Sequence, residues 1–271
     1  MKTQRAFTLI ELLVVIGIIG VLGGIVLVAL GAARDRAIIA RAQMFSNSLK
    51  GGLDDAIIGW WSFDDCTARD PWGNNDGTIA GAICVQGILR NALSFDGVDD
   101  HVLTTMDYDF GGSTQLTVEV WIRPGKDYRD EPNDWFYFTN KGFDQPFEFG
   151  YQGWGDSVAF KPYNAATDFQ VGETGGTYLD QDRWYHYVGV VNGNFIGLYK
   201  NGKLVDSRND FTGTLRAGTA VVVIGGTETV RFFSGFIDEV VIYSRGFTVF
   251  EIQKHYAEGL EKRKNLALQE P

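Results

Sequence analysis

Glu11 is a lone carboxylate in an otherwise uncharged apolar run from Phe7 to Ala33. A bare charge in a bilayer core costs roughly a few kcal/mol, so such a residue is a functional candidate. A second group of chemically capable residues lies in Asp70-Pro-Trp-Gly-Asn-Asn-Asp-Gly77. It places Asp70, Asn74, Asn75 and Asp76 in one turn-forming loop, an oxygen-rich set of the type hard cations such as calcium require. The same residues also suit an Asx turn capped by its own side chains. Cys66 and Cys84 are the two cysteines. They form a disulfide in an oxidising compartment and stay as buried thiols otherwise. Neither belongs to a CxxC pair, and His101, His186 and His255 are the only histidines, so a structural zinc centre is not expected. An aromatic stretch holds Trp135, Phe136, Tyr137, Tyr151, Trp154 and Tyr163. Trp135 and Trp154 are candidate ligand-binding rings, because flat faces of this kind suit sugars, although such rings also build cores.

Recognised hydrolytic constellations are missing. Glu119 alternates with apolar residues but has no acidic partner two or four positions away. Asp238 and Glu239 are adjacent, which on a regular strand sends them to opposite faces, whereas a glycosidase needs two carboxyls facing one bond. There is no Gly-x-Ser-x-Gly elbow and no phosphate-binding loop. The expectation is a chain that is not an enzyme and has no catalytic residues.

The elements that must position these groups fall into two classes. Leu12 to Ala33 gives 22 uncharged residues, long enough to cross a bilayer as a helix. Ile38, Ala42, Phe45 and Leu49 continue a one-sided stripe, and no proline interrupts Phe7 to Lys50 before Gly51-Gly52. This predicts one helix over 7–50, roughly 65 Å long at 1.5 Å per residue, spanning the membrane over 7–33 and amphipathic over 34–50. From Asp54 onward the period becomes two. Leu116-Thr-Val-Glu-Val-Trp-Ile122 and Trp184-Tyr-His-Tyr-Val-Gly-Val190 alternate, and Asn192-Gly193 and Asn201-Gly202 read as hairpin turns. Many short strands with short gaps predict an all-β antiparallel jelly-roll sandwich. Thr248-x-x-Glu251 is a capping box, predicting a short C-terminal helix that Gly259 stops, with a frayed tail over 259–271.

Charge narrows the partners. The net charge is −10, and from Gly51 onward 18 basic residues face 32 acidic ones, a net −14. Such a domain repels phosphate backbones, so no nucleic acid is expected.

The segment Arg5-Ala-Phe-Thr-Leu-Ile-Glu-Leu-Leu-Val-Val-Ile16, behind the basic leader of Lys2 and Arg5, closely resembles the class III leader of type IV pilins and type II secretion pseudopilins. The resemblance implies cleavage by a prepilin peptidase between Ala6 and Phe7 and N-methylation of Phe7. It also implies pairing of Glu11 with the terminal amine of a neighbouring subunit; two buried opposite charges need each other. Ala6 departs from the glycine usual before the cut, which implies slower processing. A secretory signal peptide or a plain anchor accounts for the apolar stretch but not for Glu11.

A second resemblance rests on an ordered set: Trp61-Ser-Phe-Asp64, Phe95-Asp-Gly-Val-Asp-Asp-His-Val102, Leu116 to Pro124, Trp184 to Val188, Leu198 to Val205 and Phe233 to Arg245. Together these resemble the laminin-G-like, concanavalin-A-like jelly-roll family over about 57–258, after a linker at 51–56. That resemblance implies a calcium ion held by Asp70 and Asp238, with Asp76 beside them. The two resemblances imply a single-pass precursor with its head outside, then a cell-surface filament subunit. Its partners are the prepilin peptidase, other pilin subunits, the membrane and a glycan or protein ligand. The alternatives are a type II secretion pseudopilin, or a non-polymerising anchored surface lectin or hydrolase.

Overall fold

The structure is a computed structural model. It describes residues 56–128, 134–142, 146–153, 157–173, 179–181 and 183–267, with the backbone alone at 263 and 265–267. The expected membrane helix and stalk, with Ala6, Phe7 and Glu11, lie outside the described residues, as does Trp154. Among the described residues, no helix is long and apolar enough to cross a membrane. The chain divides into two compact units, 1–54 and 55–271; the description below concerns the second.

This unit is a sandwich of two antiparallel sheets. The first runs β13 (Lys203–Arg208), β12 (Phe195–Lys200), β11 (Tyr185–Asn192), β6 (Gln115–Pro124), β15 (Ser234–Tyr243), β4 (Asn91–Asp96) and β3 (Ile83–Gln86), with β1 (Ile57–Trp61) also paired to β15. The second runs β10 (Val171–Gly172), β9 (Ser157–Pro162), β8 (Phe147–Gln152), β7 (Trp135–Asn140), β14 (Val223–Ile224), β5 (His101–Thr104) and β2 (Gly77–Ala80). Strand alternation builds the core. On β6, Leu116, Val118, Val120 and Ile122 are fully buried in the main cluster, so Thr117, Glu119, Trp121 and Arg123 point to the outer side. Aromatic rings fill the space between the sheets, with Phe138 edge-on to Phe233 at 5.1 Å and Phe149 edge-on to Phe160 at 5.4 Å.

Two turns differ instructively. Asn201 and Gly202 both have positive φ (51° and 75°) and join β12 to β13, as a type I′ turn demands. The other hairpin is shifted by one residue from expectation. Asn192 pairs with Phe195, so the loop residues are Gly193 and Asn194, and of these Gly193 alone has positive φ. That is the type II′ pattern, in which glycine takes the first central position.

The C-terminal helix α1 (Val249–Ala267) is longer than the sequence suggested. Its capping box forms: Thr248 N–H donates to Glu251 Oε2 at 2.7 Å and Glu251 N–H donates to Thr248 Oγ1 at 3.4 Å. Gly259 does not end it. The helix lies so close to the first sheet that a Cβ at Gly259 would sit 2.6 Å from the Trp121 ring. The glycine allows close approach rather than termination.

Candidate functional site

The acidic loop is built around Asp70, which is buried. Its Oδ1 accepts from the backbone N–H groups of Trp60, Trp72 and Gly73 at 3.2, 2.9 and 2.9 Å. Its Oδ2 accepts from Asn75 N–H and Asn75 Nδ2 at 3.2 and 2.8 Å. Five N–H donors fill the lone-pair directions of one carboxylate and aim the positive ends of their dipoles at it. Asp76 is close by, its Oδ1 accepting from Asp70 N–H at 2.8 Å. Asp238 is engaged elsewhere: Ile88 N–H donates to its Oδ2 at 2.9 Å and Glu239 N–H to its Oδ1 at 2.8 Å. Asp70 and Asp76 are thus tied within their own loop, and Asp238 to Ile88 and its own strand. The loop is an Asx-type fold that ties residues 70–76 to β1.

Asp238 and Glu239 also depart from the opposite-face expectation. The β15–β6 register shifts between Asp238 and Val241, and Glu239 has a φ of +48°. Inward-facing Ile237 and Val240 are consequently three residues apart instead of two. This β-bulge leaves both acids on the outer side. Asp238 stands opposite Trp121, and Glu239 Oε2 accepts from Trp60 Nε1 at 2.8 Å. Burial, and then the Glu239 charge, raise the Asp238 carboxyl well above its usual range. Burial also raises Glu239, to about 7, against the Trp60 hydrogen bond and with the Asp64 charge adding to the rise. Asp64 is itself raised by burial, although Arg90 lies 3.7 Å away. Three carboxylates thus crowd one corner with little positive charge among them.

A different corner, which the sequence had not singled out as a site, gives its buried carboxylate hydrogen-bond donors on both oxygens. Glu119 is buried under α1. Its Oε1 accepts from His186 Nε2 at 2.7 Å, its Oε2 from His255 Nδ1 at 2.8 Å, and Tyr243 OH donates to Oε2 at 3.4 Å. A carboxylate only accepts, so each of these ring nitrogens carries hydrogen. Burial alone would raise Glu119, but the His255 charge and the hydrogen bonds from both histidines outweigh it and hold the carboxyl far below its usual range. Burial likewise opposes charge on His255, and the Glu119 charge overrides it to raise the ring. Tyr256 stacks on Trp121 at 5.8 Å and on His186 at 5.8 Å, closing the corner.

The aromatic stretch is mostly interior. Trp135, Phe136, Tyr137, Tyr151 and Tyr163 are all buried. Trp135 and Tyr137 form a small cluster with Ala159, separate from the main core. Their rings lie 5.7 Å apart, and Arg231 Nη1 donates to Tyr137 OH at 2.6 Å while its Nε stands 3.4 Å from Asp134. With Trp135 only 3% exposed, its ring has no free face for a sugar. The expected role at Trp135 is corrected accordingly; its pattern of aromatic residues could not separate a covered outer face from an open one.

Cys66 and Cys84 are joined, with Cα atoms 5.3 Å apart. The link ties the segment that carries Asp64 to β3.

Comparisons with known proteins agree with this architecture. A family model described as the concanavalin A-like lectin/glucanases superfamily matches residues 96–253, more than half of the chain. A model of the prokaryotic N-terminal methylation motif matches residues 1–27. Among solved structures, the binding domain of Paraclostridial Mosquitocidal Protein 1 matches at a TM-score of 0.64 with 15% identity, over 76% of this chain and 53% of that one. Domain 4 of AbnA, a GH43 extracellular arabinanase from Geobacillus stearothermophilus in complex with arabinotriose, matches at 0.58 with 20% identity, over 73% and 97%. The botulinum neurotoxin serotype D binding domain matches at 0.64 with 14% identity, over 77% and 52%. The chain thus spans about half the length of the two toxin chains and nearly all of the arabinanase domain, and at these identities the likeness is one of fold. The head belongs to the concanavalin A-like lectin/glucanases superfamily, on a chain that begins with a prokaryotic N-terminal methylation motif.

Proposed function

We propose that this chain is a type IV pilin-like subunit that displays a non-catalytic, lectin-like head outside the cell. The observation that carries the reading is the union of a methylation motif over residues 1–27 with a lectin-type sandwich on one chain. In this reading a prepilin peptidase cuts between Ala6 and Phe7, Phe7 is N-methylated, and Glu11 neutralises the new terminal amine of a neighbouring subunit. That pairing removes the cost of leaving either charge alone in apolar surroundings. The Cys66–Cys84 link suits an oxidising location. The head then serves adhesion, with an oligosaccharide or protein as its ligand. The arabinanase domain solved with arabinotriose supports the oligosaccharide, as a property of that protein.

Mass spectrometry of the native amino terminus tests processing. Methylated Phe7 is expected; a start near Ala32, or an intact Met1, ends the pilin reading. Assembly is tested by Glu11→Ala, which is expected to abolish incorporation into filaments while the head keeps its fold. Filaments formed equally well by that variant would leave only an anchored head.

A further inference from the structure

At one rim of the sandwich the β2–β3 turn, the β4–β5 turn and the β14–β15 connection enclose a cavity of about 420 Å³. Its walls include Gly81, Val98, Asp99, His101, Glu228 and Phe232, and among the described residues no lysine or arginine lines it. His101 and Phe232 form a ring pair, with centroids 6.0 Å apart and planes 37° apart. The ring of His101 is oriented by its own turn: Nδ1 lies 2.9 Å from the Asp99 carbonyl oxygen. That oxygen only accepts, so Nδ1 holds a hydrogen.

Hydrogen bonds within the β4–β5 turn tie its backbone together. Asp96 Oδ1 accepts from Val98 N–H at 2.8 Å, and Asp100 Oδ2 accepts from Asp96 N–H at 2.9 Å. Gly81 has a φ of +76°, and a Cβ there would lie 1.8 Å from Asp100 Oδ1. Asp99 also belongs to an acidic group with Asp96 and Asp100, whose ligand atoms lie within 4.8 Å of one another. Val98, which lines the cavity, is an exposed apolar side chain.

A cavity whose charged groups are the Asp99 and Glu228 carboxylates, and whose walls carry two aromatic rings, suits a group that only donates and bears positive charge. Carboxylates provide charge-assisted hydrogen bonds, and an aromatic face attracts a cation placed over it. A neutral sugar needs donors as well as acceptors, and the pocket offers it few. We propose that this rim pocket binds a lysine or arginine side chain presented by a partner protein, with Asp99 and Glu228 accepting from the cation and Phe232 supporting its alkyl stem. The domain's net negative charge favours the approach of such a partner. The site stands apart from the processing and assembly reading, because nothing in it involves residues 1–27.

The three histidines supply the test. In the full-length chain in detergent micelles, with ¹³C-labelled histidine, Nα-acetyl-lysine methylamide is titrated while the ring signals are followed. The His101 signal is expected to move and saturate, while those of His186, beneath α1, and His255, on it, stay in place and report an intact fold. The Nα,Nε-diacetyl analogue, which lacks the charge, is expected to leave all three unmoved. Glu228→Gln is expected to weaken the response about tenfold, the loss of one charge-assisted hydrogen bond. Phe232→Leu is expected to weaken it too. The proposal is overturned if the charged probe leaves His101 unmoved, if the neutral analogue moves it equally, or if a methyl glycoside or calcium moves it while the charged probe does not.

Discussion

Two corners on the outer side of the first sheet bury carboxylates, and they treat them in opposite ways. At the α1 corner, Glu119 meets two histidines from distant parts of the chain and its acidity is strengthened far beyond the ordinary. At the β15 bulge, Asp238 and Glu239 meet each other and Asp64, and their acidities weaken, Glu239 to about 7. Burial acts in the same direction on all three. The partners reverse the outcome at one corner and reinforce it at the other. A buried carboxylate is therefore not in itself a sign of strain, of catalysis or of a metal; the groups placed against it decide.

The largest break in this comparison is expected from Glu119→Ala. It leaves His186 on the sheet and His255 on α1 without their shared acceptor, and removing one member of a buried charged network costs about 3–5 kcal/mol. Urea unfolding of the variant should show that loss, and an unchanged midpoint would mean that packing, such as that of buried Ile252 and stacked Tyr256, holds the helix without the carboxylate. Next is the bulge corner's tether. Cys66→Ser with Cys84→Ser frees a loop of 18 residues in sequence separation, which should cost about 3 kcal/mol in the chain-entropy model. Thermal unfolding with and without reductant measures it; wild type and variant should coincide once reductant is present.

The pH dependence sharpens the contrast. The Glu119 carboxyl is lowered on folding, so its stabilisation is complete above its ordinary 4.5 and is lost as pH falls towards its depressed value. The His255 ring is raised, so its contribution is complete below 6.5 and is lost as pH rises through its higher folded value. Glu239 is raised as well, so its contribution is complete below 4.5 and is lost as pH climbs to about 7. The melting temperature of the wild type should therefore decline from 4.5 to 7, and Glu239→Gln, which can still accept from Trp60, should flatten that decline. An equal slope in the variant would assign the decline to other groups. The smallest effect is expected from Thr248→Ala at the start of α1, about 1 kcal/mol for a lost helix cap, seen as a small loss of helical circular dichroism.

Much of the head is readable residue by residue. The alternation from Leu116 to Ile122 foretells both the strand and which side chains enter the core, because side-chain direction along a strand has a period of two. Asn201-Gly202 and Thr248-x-x-Glu251 are legible for the same kind of reason: each is a local backbone requirement met by adjacent residues. The bulge at Glu239 is not legible, since an Ile-Asp-Glu-Val run has no local mark of a skipped alternation, and with it went the facing of Asp238 and Glu239. Gly259 has two local meanings, helix stop and close approach, and only Trp121 on another element selects between them. Trp135 has an aromatic neighbourhood in either setting, exposed or covered.

The amino-acid sequence by itself determined the methylation motif, the strand periods and most of the turns, because these depend on residues within a few positions of one another. The tertiary structure alone decided how each buried acid is treated. Glu119 finds its two histidines 67 and 136 residues away, through the order of strands in a sheet and the seat of a helix on it. The energy of a charge depends on what stands a few ångströms from it in space, and that distance is set only when the whole sandwich closes.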